Sequence, residues 1–237
     1  MTPSRDTPTM PPKKPRALPP LATAKNPRQT IANFDVIVTW AINAPGGFQN
    51  PKVMTRFTMT FSQRYFDALN AHFHPDDYPG PTHVWQWAFD GLRYDEPIIF
   101  QHQLTAVCAH INLDLGITAA QVGAGAMDDR HDDFNMVNAI LGSQVQGVFD
   151  ALAKVSPRTQ TIRDVLPGDE VDEINALLIV FRDLAWKFAN VLADSPDEFQ
   201  ELVDWIADKE SRDVARNVRT LDVAAAKPNE LNAAFLP

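Results

Sequence analysis

The chain has 237 residues, 45% of them hydrophobic, with a net charge of -9 and a pI near 5.0. That is enough apolar material for one sizeable core, and an acidic surface repels phosphate backbones, which argues against nucleic acid as a partner. A single cysteine, Cys108, excludes an intrachain disulfide and a cysteine-based zinc site.

The first segment, "MTPSRDTPTMPPKKPRALPPLATAKNP", carries eight prolines and few apolar residues. Proline lacks the amide donor and fixes φ, so residues 1–27 read as a disordered tail ahead of one domain over 28–237. The tail has no apolar run of the kind a secretory signal needs, and no later segment is apolar over the roughly 20 residues that a bilayer span requires. A cytoplasmic location is the default expectation.

Helical punctuation then recurs. Asn26-Pro27 and Asn50-Pro51 each offer an N-cap with proline at the first helical position. Ile31, Phe34, Val38 and Ala41 form one helical stripe, and Met54, Phe57, Phe61, Tyr65, Ala68 and Leu69 form the next. "HPDDYPGPTH" is a turn-rich break, followed by a short aromatic helix, "VWQWAF". Asp95-Glu96-Pro97 starts a central helix that Gly116 can end, and "AAQVGAGAMDDRHDD" reads as a loop. Phe134 to Leu152 and Ile174 to Val191 give two further helices. Ser195-Pro196-Asp197-Glu198 has the form of a capping box before a more charged, superficial last helix. No segment has strand period. The expectation is an all-α, bundle-like array of six to eight helices.

The central helix is the unusual one. Between Pro97 and Met127 the only formal charge is Asp114. A helix without a charged face is normally buried, so Asp114 is a carboxylate taken out of water, which demands a cation, a metal or several donors. Gln103, Val107, His110 and Asp114 fall on one narrow stripe at about 100° per residue, and His102 lies about 80° from His110. A His–Asp pair at this spacing suits a divalent metal (iron, zinc, manganese), or a base whose imidazole is oriented by a carboxylate. It equally suits a satisfied core pair in which Asp114 meets an arginine, an indole or backbone amides.

"DDRHDDF" is a second cluster, with Asp128, Asp129, His131, Asp132 and Asp133. Acids are ordinary at a helix start, where they offset the dipole and cap. They could also complete a metal site in which His110 and Asp114 are joined by His131, Asp132 or Asp133. His131, Asn135 and Asn138 share a helical face, and Asn138 is positioned to bond Asp114 or a substrate. "DDRHD" also has the D-D-x-x-D form that binds magnesium and diphosphate in class I terpene synthases and prenyltransferases, without a convincing second magnesium motif downstream. In "FRDLAWKF", Arg182 is a candidate counter-ion for Asp114, or the partner of Asp183.

At "AVCAHINLDLGITAA" the chain resembles the bacterial family DUF5995, a domain of unknown function with a central A-H-I-N-x-D-L signature at Ala109 to Leu115. "FTMTFSQRYFDAL", "HDDFNMVNAIL" and "FRDLAWKFANVLA" are similar too, so the resemblance covers most of residues 50–193. It implies the fold and the importance of His110, Asn112, Asp114 and Asn138, but no reaction. This chain has Leu113 where the family often carries a basic or histidine residue, which counts against a role for such a side chain there.

The functional expectation is therefore an enzyme for a small, largely apolar metabolite, with catalytic candidates His110, Asp114, Asn112 and Asn138. A divalent metal (iron, zinc or magnesium) would be held by His110, Asp114, His131, Asp132 and Asp133. The alternatives are prenyl-diphosphate chemistry at Asp128–Asp132 and a non-catalytic binding or interaction protein. A homo-oligomer is compatible with either.

Overall fold

The computed structural model describes residues 42, 47–91, 105–123, 125–155 and 170–226. The proline-rich tail, the first predicted helix, His102 and the start of the central helix lie outside the described residues. Among those described there are six α-helices and no strand: α1 (Pro51–Phe73), α2 (His83–Gly91), α3 (Leu115–Gly123), α4 (His131–Val155), α5 (Glu170–Asp194) and α6 (Phe199–Ala226). None is long and apolar enough to cross a membrane.

The hub is a short rod. Residues 105–108 are α-helical, Ala109–Asp114 form a π-helix, and α3 continues from Leu115. The π segment touches α1, α2, α5 and α6, and α3 packs chiefly along α5. A rod enclosed on so many sides has no water-facing stripe, which explains why its sequence carries one charge. Leu113, Leu115 and Ile117 are fully buried, each contributing about 1.5–3 kcal/mol of apolar burial.

Gly116 does not end the helix. A Cβ on it would lie 2.6 Å from Phe188 Cδ1 and 2.9 Å from the Ala185 carbonyl oxygen, so glycine is there to let α3 approach α5 closely. The predicted loop is correspondingly shorter. The helix runs to Gly123, and a 3-10 turn over Asp128–Arg130 leads into α4. The Ser195 capping box is not formed either: Ser195 makes no side-chain cap bond, and a 3-10 turn over Pro196–Glu198 precedes α6.

The α1 start is capped from a distance. Asn50 makes no side-chain cap bond. Instead the Gln49 and Asn50 backbone amides donate to the two oxygens of Asp133, at 2.6 and 2.7 Å. The first turn of α4 thereby fixes the first turn of α1, and α1 carries half of the site described next.

Candidate functional site

Asp114 is 1% exposed, and both of its carboxylate oxygens are engaged. Oδ1 accepts from Arg64 Nε at 2.9 Å. Oδ2 accepts from the Trp85 indole N–H at 2.8 Å and lies 3.1 Å from His110 Nδ1. The three partners come from α1, α2 and the π-helix itself. Burial pushes the carboxyl pKa up. The His110 hydrogen bond and charge, the Arg64 guanidinium and the Trp85 N–H outweigh it, and hold Asp114 below the usual carboxylate range.

His110 is held on its faces as well as at its edge. Its ring stacks on Phe61 at 3.7 Å between centroids and 12° between planes, with Tyr65 at 5.8 Å and Trp85 at 5.9 Å. The side chain keeps 23% of its surface in solvent. With Nδ1 toward Asp114, Nε2 has no hydrogen-bond partner among the described residues. The π-turn belongs to this geometry: the Leu115 amide bonds to the His110 carbonyl, five residues back, in place of the α-helical four. π-turns of this kind occur frequently at functional sites.

The other predicted residues lie elsewhere. Asn112 Nδ2 donates to Glu210 Oε2 of α6 at 3.2 Å, while its Oδ1 is buried with no partner among the described residues. Asn138 does not reach Asp114: its Oδ1 accepts from Arg182 Nε. Arg182 is likewise not the counter-ion of Asp114. Its Nη2 donates to the Phe134 carbonyl and its guanidinium lies 4.3 Å over the Phe134 ring. His131 stacks on Trp186 at 4.8 Å and pairs with Asn135. Asp132 accepts from Gln49 Nε2, and Asp133 caps α1. Asp128 and Asp129 are exposed on the 3-10 turn.

No group of three or more histidine, cysteine or carboxylate side chains among the described residues could hold a metal ion. The chemistry at Asp114 explains why it makes a poor ligand. Both oxygens already accept N–H donors, and Arg64 places a positive charge where a divalent cation would have to sit. Among the described residues, Asp114 and the groups around it offer no open metal-ligand set. Cys108 is equally unsuited as a nucleophile, because burial, with Glu210 adding to it, pushes its thiol up to about 12.

Arg64 and Trp85 are the residues of this candidate site that the sequence does not single out. The kinds of partner, an arginine and an indole, follow from a buried carboxylate; the positions do not. For Arg64 one signal was available. It sits between Phe61 and Tyr65 in the apolar stripe of α1, an odd place for a guanidinium that has no buried anion to meet.

No curated protein and no solved structure matches the chain. The A-H-I-N-x-D-L signature coincides with the π-helix and with the residue that follows it, at the point where α1, α2, α5 and α6 meet. A family model covers that centre and most of the sequence around it: the chain belongs to the family of unknown function DUF5995, which it matches over residues 28–221.

Proposed function

We propose that the protein is an enzyme that moves a proton on a small, largely apolar substrate, with His110 as the general base or acid and Asp114 as the group that orients it. One observation carries this reading: Asp114 engages Nδ1 of a partly exposed imidazole whose Nε2 is left without a protein partner among the described residues. A carboxylate at Nδ1 keeps the proton on that nitrogen, so Nε2 presents the basic lone pair. It takes a proton from a substrate C–H or O–H, and Asp114 stabilises the imidazolium until the proton is returned. Phe61 and Tyr65, partly exposed beside the ring, favour an apolar substrate body.

The experiment works without an identified substrate. A panel of small carbon acids (ketones, aryl-substituted keto acids) is incubated with the protein in deuterated water, and exchange is followed by proton NMR. Wild type accelerates exchange for at least one member, His110→Gln does not, and both melt alike. Ile111→Ala, at a buried neighbouring position, lowers the melting temperature instead. If no member exchanges faster with wild type than with His110→Gln, the catalytic reading fails. A non-catalytic binding or interaction protein then takes its place. The observation that favours this second reading is the completeness of the Asp114 network, which is what a core ion pair needs.

A further inference from the structure

Arg64 is bonded in an unusual way. Arg56 and Arg130 each direct an Nη atom to the Val122 carbonyl, and Arg182 directs one to the Phe134 carbonyl. Arg64 engages Asp114 through Nε alone. Its Nη1 and Nη2 have no hydrogen-bond partner among the described residues, and the side chain keeps 24% of its surface in solvent. The edge left open is the two-pronged end that fits a carboxylate bidentately.

This open edge and the open nitrogen of His110 belong to one unit. Arg64 and His110 hang from the two oxygens of a single carboxylate, and both are flanked by the same turn of α1, Phe61 to Tyr65. Asp114 therefore does more than neutralise Arg64. It fixes the guanidinium by its Nε edge and leaves the Nη end open, on the same carboxylate that holds His110.

We infer that the free end of Arg64 is an anion-binding group, and that the substrate is a carboxylate with a flat apolar body seated against the partly exposed rings of Phe61 and Tyr65. The substrate class rests on the reading of His110 as the base; the anion site itself rests on the geometry of Arg64. A carboxylate held there sets the rest of the molecule against Nε2. When His110 removes a proton alpha to that carboxylate or to an adjacent carbonyl, the negative charge delocalises onto oxygen next to the guanidinium, where it is stabilised.

The test compares benzoate with benzamide, which has the same shape and no charge, by calorimetric titration into the full chain at moderate salt. Wild type prefers benzoate by about tenfold or more, as expected for one charge-assisted contact. Arg64→Lys keeps a positive charge near Asp114 but lacks the fork, and most of the preference goes. The double variant Arg64→Gln/Asp114→Asn removes both charges together, so no buried ion is left unpaired, and it binds the two probes equally. His110→Gln keeps the preference while losing deuterium exchange, so loss of catalysis and loss of the anion site are separable. Equal binding of benzoate and benzamide to wild type, binding of neither, or a benzoate preference that survives in the double variant overturns the inference.

Discussion

Asp114 and Arg182 are both buried charges at the centre of this molecule, and they are handled in opposite ways. Asp114 has a full counter-ion, an indole N–H and an imidazole on its two oxygens. Arg182, 2% exposed, has neutral oxygens from Asn138 and Phe134 and the face of an aromatic ring. Burial pushes its guanidinium down to about 9, with neighbouring Asp183 opposing, so it stays charged at neutral pH. The Arg182 arrangement ties α5 to α4 and is a strut. The Asp114 arrangement has open valences on two of its three partners, Nε2 of His110 and the Nη end of Arg64. A buried charge is a poor guide to function by itself; what separates the two places is that the groups left open around Asp114 are an imidazole nitrogen and a guanidinium end, which can move a proton or hold an anion.

The largest expected effect breaks the Asp114 network. Asp114→Asn removes the charge and leaves Arg64 without its counter-ion, and because Arg64 can still reach water the cost falls near the low end of the range for a broken buried pair, about 3 kcal/mol. Chemical denaturation at neutral pH measures it. The pH dependence sharpens the point. The folded pKa of Asp114 is below its ordinary value, so the stabilisation is present in full above about pH 4 and is lost as pH falls through the lower folded value. The stability gap between wild type and Asp114→Asn should therefore close in acid, as pH falls below the ordinary carboxylate range. A gap that widens in acid would contradict the ion-pair account.

Arg182→Met comes next. It leaves the Asn138 and Phe134 oxygens unpaired, at about 1–3 kcal/mol, while relieving a buried charge that has no carboxylate against it. Adding Asn138→Leu should recover part of the loss, which is the behaviour of a strut. Neither change should alter benzoate binding. If Arg182→Met abolishes it, the distinction between the two regions is wrong.

Asp133→Ala should have the smallest effect. It removes the acceptor for the Gln49 and Asn50 amides, and a lost cap costs about 0.5–2 kcal/mol. Since the cap orients the helix that carries Phe61, Arg64 and Tyr65, the benzoate preference should weaken slightly while exchange by His110 persists. A melt and the same titration read both.

Much of the fold is legible in the sequence, because periodicity reports on helices directly. The stripe Met54, Phe57, Phe61 and Tyr65, the proline at the start of α1 and the aromatic run of α2 all mark helices that the structure contains. The boundaries were harder. Gly116 resembles a helix terminator because glycine near a helix end is usually a cap, whereas here the reason is a neighbouring helix, Phe188 and Ala185 of α5, that no local pattern reveals. The π-turn was equally hidden. A slip from four to five residues per hydrogen-bonded ring leaves no local sequence pattern.

The sequence by itself determined that Asp114 is buried and must be compensated, because a charge on a helix with no polar face has nowhere else to go. It also determined that His110 lies one turn away on the same side, since spacing along a helix fixes direction. Only the tertiary structure decided which groups compensate the carboxylate. Arg64 precedes it by 50 residues and Trp85 by 29, while Arg182, with equal chemistry, is turned to Asn138. Long-range pairing of this kind depends on how helices cross, and crossing is set by the packing of whole faces and by close approaches such as that of Gly116. The residues that can share an ion are visible in a sequence; which of them meet is decided by the packing of helices distant along the chain.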